Sequence, residues 1–165
     1  MNAGGSNLGN IVEVQNENGE NKYYYTLLPH EEVFEKGLIS IAIAGVFTKS
    51  LKDSEAIDSS SFKPNSEYIS FIHKVIEENA PKSQSFRDEA KRQKNGVVVV
   101  IDYRVKSKDS AVPPEDIVGL FEIKNSLVAS YKANPNYVLW SEKGFSNLGA
   151  ELQSILLSEI RNGYR

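Results

Sequence analysis

Residues 97–105 read VVVVIDYRV and residues 117–131 read IVGLFEIKNSLVASY, and the fold turns on how these two stretches are understood. The first is a β-branched, nearly continuous apolar run, which predicts a strand buried on both faces at the centre of a sheet. In the second, residues 117–124 and 127–131 flank Asn125-Ser126, a pair that tolerates the positive φ of a two-residue hairpin turn. Three strands joined this way form an antiparallel meander, so the class expected is α+β.

Working outward, Ile11-Val12-Glu13-Val14 and residues 23–28 (YYYTLL) flank Asn18-Gly19 and predict a second hairpin. Residues 30–36 carry carboxylates where a first helical turn favours them, and Gly37 is placed to stop that helix. The run 38–47 (LISIAIAGVF) fits either period, and its β-branching favours a strand. Residues 48–65 turn polar and are expected to form an exposed connection. Tyr68, Phe71, Ile72, Val75 and Ile76 then recur at helical spacing over 66–79. A polar surface helix is predicted up to Lys94, starting at Ser83 or Ser85 and turning only Phe86 and Ala90 inward. Residues 132–136 (KANPN) make a turn before a short strand at 137–140, and a final amphipathic helix, capped by Asn147, runs over 147–162. The expectation is one α+β domain over residues 11–165, with a mobile segment at 1–10. Its antiparallel sheet of five or six strands is packed by the helices at 66–79 and 147–162.

Composition narrows the function. With 40% hydrophobic residues over 165 positions the chain can bury a core without staples, and the absence of cysteine excludes a disulfide framework, a thiolate zinc site and a cysteine nucleophile. No run approaches the roughly 20 apolar residues of a membrane span, and the first residues lack a signal-like pattern, so a cytoplasmic location is expected. The net charge of −3 argues against nucleic acid as a partner. Residues 82–108 hold eight bases against three acids, and the interleaving of signs there reads as a solvated helix face.

Few residues suggest chemistry. Strand periodicity places Asp102 with Arg104, and Glu122 with Lys124, on shared faces. The two-residue turn would set Glu122 opposite Ala129 and Leu120 opposite Tyr131, leaving that carboxylate among Val118, Leu120, Leu127 and Tyr131. A carboxylate in apolar company is suited to acid–base work, and Asp102, Glu122, Lys124, Tyr131 and Trp140 define a candidate pocket. Asp102 followed by Glu122-Ile123-Lys124 also resembles the acidic core of the PD-(D/E)xK nuclease class, in which carboxylates hold a divalent cation. That resemblance covers two strands and lacks a proline before Asp102, so a cross-strand ionic cluster is the preferred reading. His30-Glu31-Glu32 reads as a solvated helix start and His73 as a boundary residue of its helix. No metal or cofactor is expected, and no catalytic residue is assigned.

The segments 114–124 (PEDIVGLFEIK), Ser130-Tyr131, Asn134-Pro135-Asn136 and 141–145 (SEKGF) resemble a small bacterial protein family of unassigned function, some of whose members are carried on integron gene cassettes. The resemblance spans roughly residues 83–160; it implies a compact α+β accessory protein and supplies no catalytic residues. The leading functional expectation is a non-enzymatic binding or protein-interaction module, immunity-like or cassette-encoded and capable of self-association. Its candidate interface comprises Tyr23, Tyr25, Asn134, Asn136 and Tyr137, whose rings and amides suit a contact surface. The alternative is a small-ligand binder or metal-dependent enzyme with its pocket around Glu122.

Overall fold

In the computed structural model, residues 9–48, 59–105 and 111–165 are described. Of the mobile start expected at 1–10, residues 1–8 lie outside the described residues, as do most of the polar connection (49–58) and Lys108, while Asn10 already belongs to a strand. Helices and antiparallel strands are both present, so the α+β class stands. The chain divides into two compact units, Met1–Phe71 with Leu157–Arg165, and Ile72–Leu156.

In the first unit, β1 (Asn10–Gln15) and β2 (Asn21–Thr26) form the predicted hairpin, with Gly19 at φ +80° in its turn. The acidic helix is α1 (His30–Lys36), ended by Gly37 at φ +77°. The strand expected over 38–47 is largely replaced. Ser40–Ala42 make a 3-10 turn, and only Gly45–Phe47 extend as β3, paired to β2. Asn65 explains the break, because its side-chain amide holds the Ser40 and Ile43 carbonyls and so satisfies the bent backbone. β4 (Phe62–Pro64) adds beside β3 and buries Phe62, where an exposed connection was expected. Near the chain end, Arg161 pairs with Glu32, and the Tyr164 hydroxyl donates to the Gly37 carbonyl at 2.7 Å.

The helix predicted over 66–79 is α2 (Ser66–Asn79), which belongs to the second unit from Ile72 onward. Next comes α3 (Gln84–Gln93), capped by the Ser83 hydroxyl, with Phe86 and Ala90 buried as its polarity pattern required. β5 (Gly96–Ile101), β6 (Ile117–Lys124) and β7 (Leu127–Ala133) form the meander in the order β5-β6-β7. Asn125 and Ser126 take φ of 53° and 65°, as a hairpin with both turn residues left-handed requires. β8 (Trp140–Ser141) pairs with β9 (Gly144–Phe145), which moves the strand expected at 137–140 later in the chain. The last helix, α4 (Ala150–Asn162), starts later than predicted, because Asn147 accepts from Gly149 N–H in a local turn and Gly149 takes φ +89°.

Two corrections bear on function. Among the described residues the single sheet of five or six strands is instead a four-stranded, a three-stranded and a two-stranded sheet, each formed by strands consecutive in the chain. The valine run is not central: among the described residues β5 pairs with β6 alone and ends at Ile101, and Val97, Val99 and Ile101 are 44%, 41% and 37% exposed. β-branching favours an extended backbone at an edge as much as at a centre, so composition alone could not separate the two.

Candidate functional site

Beyond Ile101 the chain leaves the sheet and buries Asp102 and Arg104, which therefore do not share a strand face. The Arg104 guanidinium places all five of its N–H donors. Nε donates to Asp116 Oδ1 at 2.8 Å, Nη1 to the carbonyls of Leu139 and Gly144, and Nη2 to those of Glu115 and Val138. Asp116 Oδ2 accepts from Lys143 Nζ at 2.6 Å. Burial drives the Asp116 carboxyl upward, but the hydrogen bonds and charges of Lys143 and Arg104 outweigh it and hold the group below its ordinary value. Asp102 takes backbone N–H bonds from Arg104 and Asn147 and a 2.6 Å bond from the Tyr137 hydroxyl, which also meets Ser146 Oγ. Burial, reinforced by the Asp102 charge, raises the Tyr137 phenol and keeps it protonated as that donor.

This cluster is a clamp. It joins the turn after β5, the residues before β6 and the 137–147 segment, which has little regular structure of its own to hold it. Arginine suits the task because its planar fork satisfies several carbonyls at fixed angles. Among the described residues no buried side-chain nitrogen or oxygen lacks a hydrogen-bond partner, so each carboxylate oxygen of Asp102 and Asp116 is already engaged within the protein. Asp116, Lys143 and Ser146 were not singled out from sequence, and Asn147 was read only as a helix cap. They are common polar residues in a turn-rich stretch, and nothing in their spacing marks them.

The residues of the candidate pocket are not brought together. β6 turns Val118, Phe121 and Ile123 inward, while Glu122 stays half-buried and accepts from Ser130 Oγ at 3.1 Å, and Lys124 is exposed. A bulge after Glu122 shifts the register, so Glu122 faces Ser130, and Phe121 rather than Leu120 faces Tyr131. Glu122 pairs across to Val97, five residues before Asp102, a separation of about 16 Å at strand rise. Two carboxylates that far apart cannot share a cation with ligand distances of about 2–2.6 Å. Among the described residues no group of three His, Asp or Glu could hold a metal ion. Tyr131 instead lies 2.7 Å from His73 Nδ1, its ring against Phe121. Burial lowers the His73 pKa and raises that of Tyr131, so the pair is neutral near pH 7. Trp140 packs edge-on against Phe145.

The candidate interface residues mostly serve the fold. Tyr23 and Tyr25 are buried in the first unit, so their rings are not offered to a partner. Asn134 holds the carbonyls of Pro114 and Ile117 and accepts from Asn136 N–H, while Tyr137 belongs to the clamp.

What remains open is the outer edge of β5. Val97 N–H donates to Gln93 Oε1 at 3.1 Å, so Val97 turns its backbone away from β6, and strand alternation gives Val99 the same orientation. At the other end, Tyr103 N–H donates to the Asn147 carbonyl at 2.8 Å. Between these two plugs, no described loop or side chain bonds the outward N–H and C=O of Val99. A groove of about 270 Å³ follows this edge, lined by Val98 to Ile101 and by Phe86, Glu89, Leu148, Glu151 and Leu152. Tyr103, 70% exposed, also lines it and lies against Gly149, where a Cβ would come within 2.9 Å of the ring. A second groove of about 220 Å³ lies around Lys91 and Leu127, and Glu122 lines neither.

Comparison with protein-family models, curated proteins and solved structures finds no match to this chain. Among the described residues, no helix is long and apolar enough to cross a membrane.

Proposed function

We propose that this chain is a non-enzymatic protein-interaction module whose contact surface is β5 and the open side of its sheet. The observation that carries this reading is the exposure of Val97, Val99 and Ile101 on an edge strand whose outward backbone groups at Val99 have no partner among the described residues. Natural sheets usually shield such edges with charge, proline or a covering element, and this one presents a run of valines. The polar cluster around Arg104 holds backbone carbonyls of the 115–144 region and so serves the fold. An accessory role of the kind implied by the resemblance of residues 114–145 to cassette-carried proteins is compatible with such a module.

The test is site-specific photocrosslinking in cells, with the photoreactive residue at Val99 and, as control, at the exposed Glu78 of α2. A discrete adduct from Val99 that the control lacks is the result expected. Equal yields from both positions, or no adduct from Val99, would remove the proposal.

A further inference from the structure

The groove beside β5 has more definition than an exposed apolar face. Its floor is a strand edge about four residues long, roughly 13 Å at strand rise, closed at one end by Gln93 and at the other by Asn147. Phe86, Leu148 and Leu152 line it beside Asn79, Ser83 and Ser85, so an incoming chain would meet a formed surface of mixed polarity. Its volume falls below the range of about 300–1,000 Å³ typical of small-molecule sites, and its long side is backbone. The charged residues lining it are both carboxylates, Glu89 and Glu151. Glu89 is tied to Arg92 and Gln93, whereas Glu151, exposed in the first turn of α4, has no ion-pair partner among the described residues.

Resting on the interaction reading above, we infer that this groove receives a short extended peptide segment of a partner protein, which adds to β5 as a fourth strand and brings a lysine or arginine to Glu151. Strand addition supplies the missing partners for Val99 N–H and C=O, and alternate side chains of the incoming segment descend toward Phe86 and Leu152. The other side chains lie beside Val99 and Tyr103, an exposed ring of the kind that anchors interfaces. A second copy of this chain fits less well. Its own β5 edge lies at the floor of the same groove, so an approaching copy brings α3 and the 148–152 segment with it.

The probe is the acetylated and amidated heptapeptide Lys-Val-Thr-Val-Thr-Val-Lys, titrated against the intact chain and followed by amide resonances. A counterpart with glutamate at both ends and one with proline at its centre serve as controls. Expected are shifts confined to residues 83–89, 97–103 and 148–152 and slowed exchange of the Val99 amide. The glutamate peptide should bind more weakly and the proline peptide should give no shifts. Glu151→Gln should weaken the lysine peptide about two- to fivefold, the size expected of one exposed ion pair, and leave the melting temperature unchanged. No shift at Val99 at millimolar peptide, or equal binding of the lysine and glutamate peptides, would overturn the inference. A concentration-dependent dimer by light scattering that Val99→Lys abolishes would overturn it too, in favour of self-pairing. Because photocrosslinking at Val99 reports any partner, an adduct there without peptide binding would spare the interaction module and reject strand addition alone.

Discussion

Replacing Arg104 with methionine keeps a long apolar stem and deletes the guanidinium, so it isolates what the charged fork does. Five bonds disappear, four of them to backbone carbonyls, and Asp116 keeps only Lys143 as a charged partner. Removing one member of a buried ion pair costs about 3–5 kcal/mol, because the remaining charge stays desolvated. Water reaching some of the freed carbonyls offsets further losses, so a total of about 4 kcal/mol is expected, a large part of the 5–15 kcal/mol that ordinarily separates folded from unfolded states. With a urea slope of about 2 kcal/mol/M, the unfolding midpoint falls by about 2 M. Trp140, the only tryptophan, follows Leu139, whose carbonyl Arg104 holds, so its fluorescence reports the clamp directly. Arg92→Met, which breaks an exposed pair with Glu89, is the control and should leave the midpoint in place. An Arg104→Met midpoint within 0.5 M of the parent protein, roughly the scatter of such fits, would refute the clamp.

Two further outcomes follow from the titrating groups. Asp116 is held below its ordinary value in the folded state, so its contribution is complete above the unfolded carboxylate value of about 3.9 and is lost as pH falls below it toward the lower folded value. Asp116→Asn should flatten the urea midpoint between pH 4 and pH 2 relative to the parent, and an unchanged slope there would contradict the assignment. His73 is lowered by burial, so the unfolded chain takes up a proton first as pH drops below about 6.5, and stability declines from that point toward the folded value. Proton-detected titration of the ring should give a value under 6.5, His73→Phe should remove that part of the pH dependence, and a ring that titrates at or above 6.5 would count against its burial beside Tyr131.

How much of this was legible in the sequence varies with the kind of signal. Periodicity and turn chemistry located α2, α3 and the β6–β7 hairpin, because Tyr68 to Ile76 mark one helical face and Asn125-Ser126 admit only a few backbone shapes. Partner identity was not legible. VVVVI looks alike at the centre and the margin of a sheet, and whether another strand lies beside Val99 depends on residues far away in the chain. The bulge after Glu122 has the same character: one extra residue exchanges faces without leaving a compositional trace, so the acid expected among apolar neighbours meets Ser130. Asp102 was noticed for its charge but assigned to a strand, and its role became visible only with Tyr137, 35 residues away, bonded to it. Two of the three tyrosines offered for an interface, Tyr23 and Tyr25, carry too much apolar area to reveal from sequence whether they face a core or a partner.

The open edge of β5 is tested most directly by amide hydrogen exchange, residue by residue, on the free protein under native conditions. Val98 and Val100 bond to β6 and should be protected together, while Val99, facing the groove without an acceptor, should exchange orders of magnitude faster than either neighbour. Protection of Val99 equal to that of Val98 and Val100 would mean that the edge is already occupied, and the proposed contact surface would not exist.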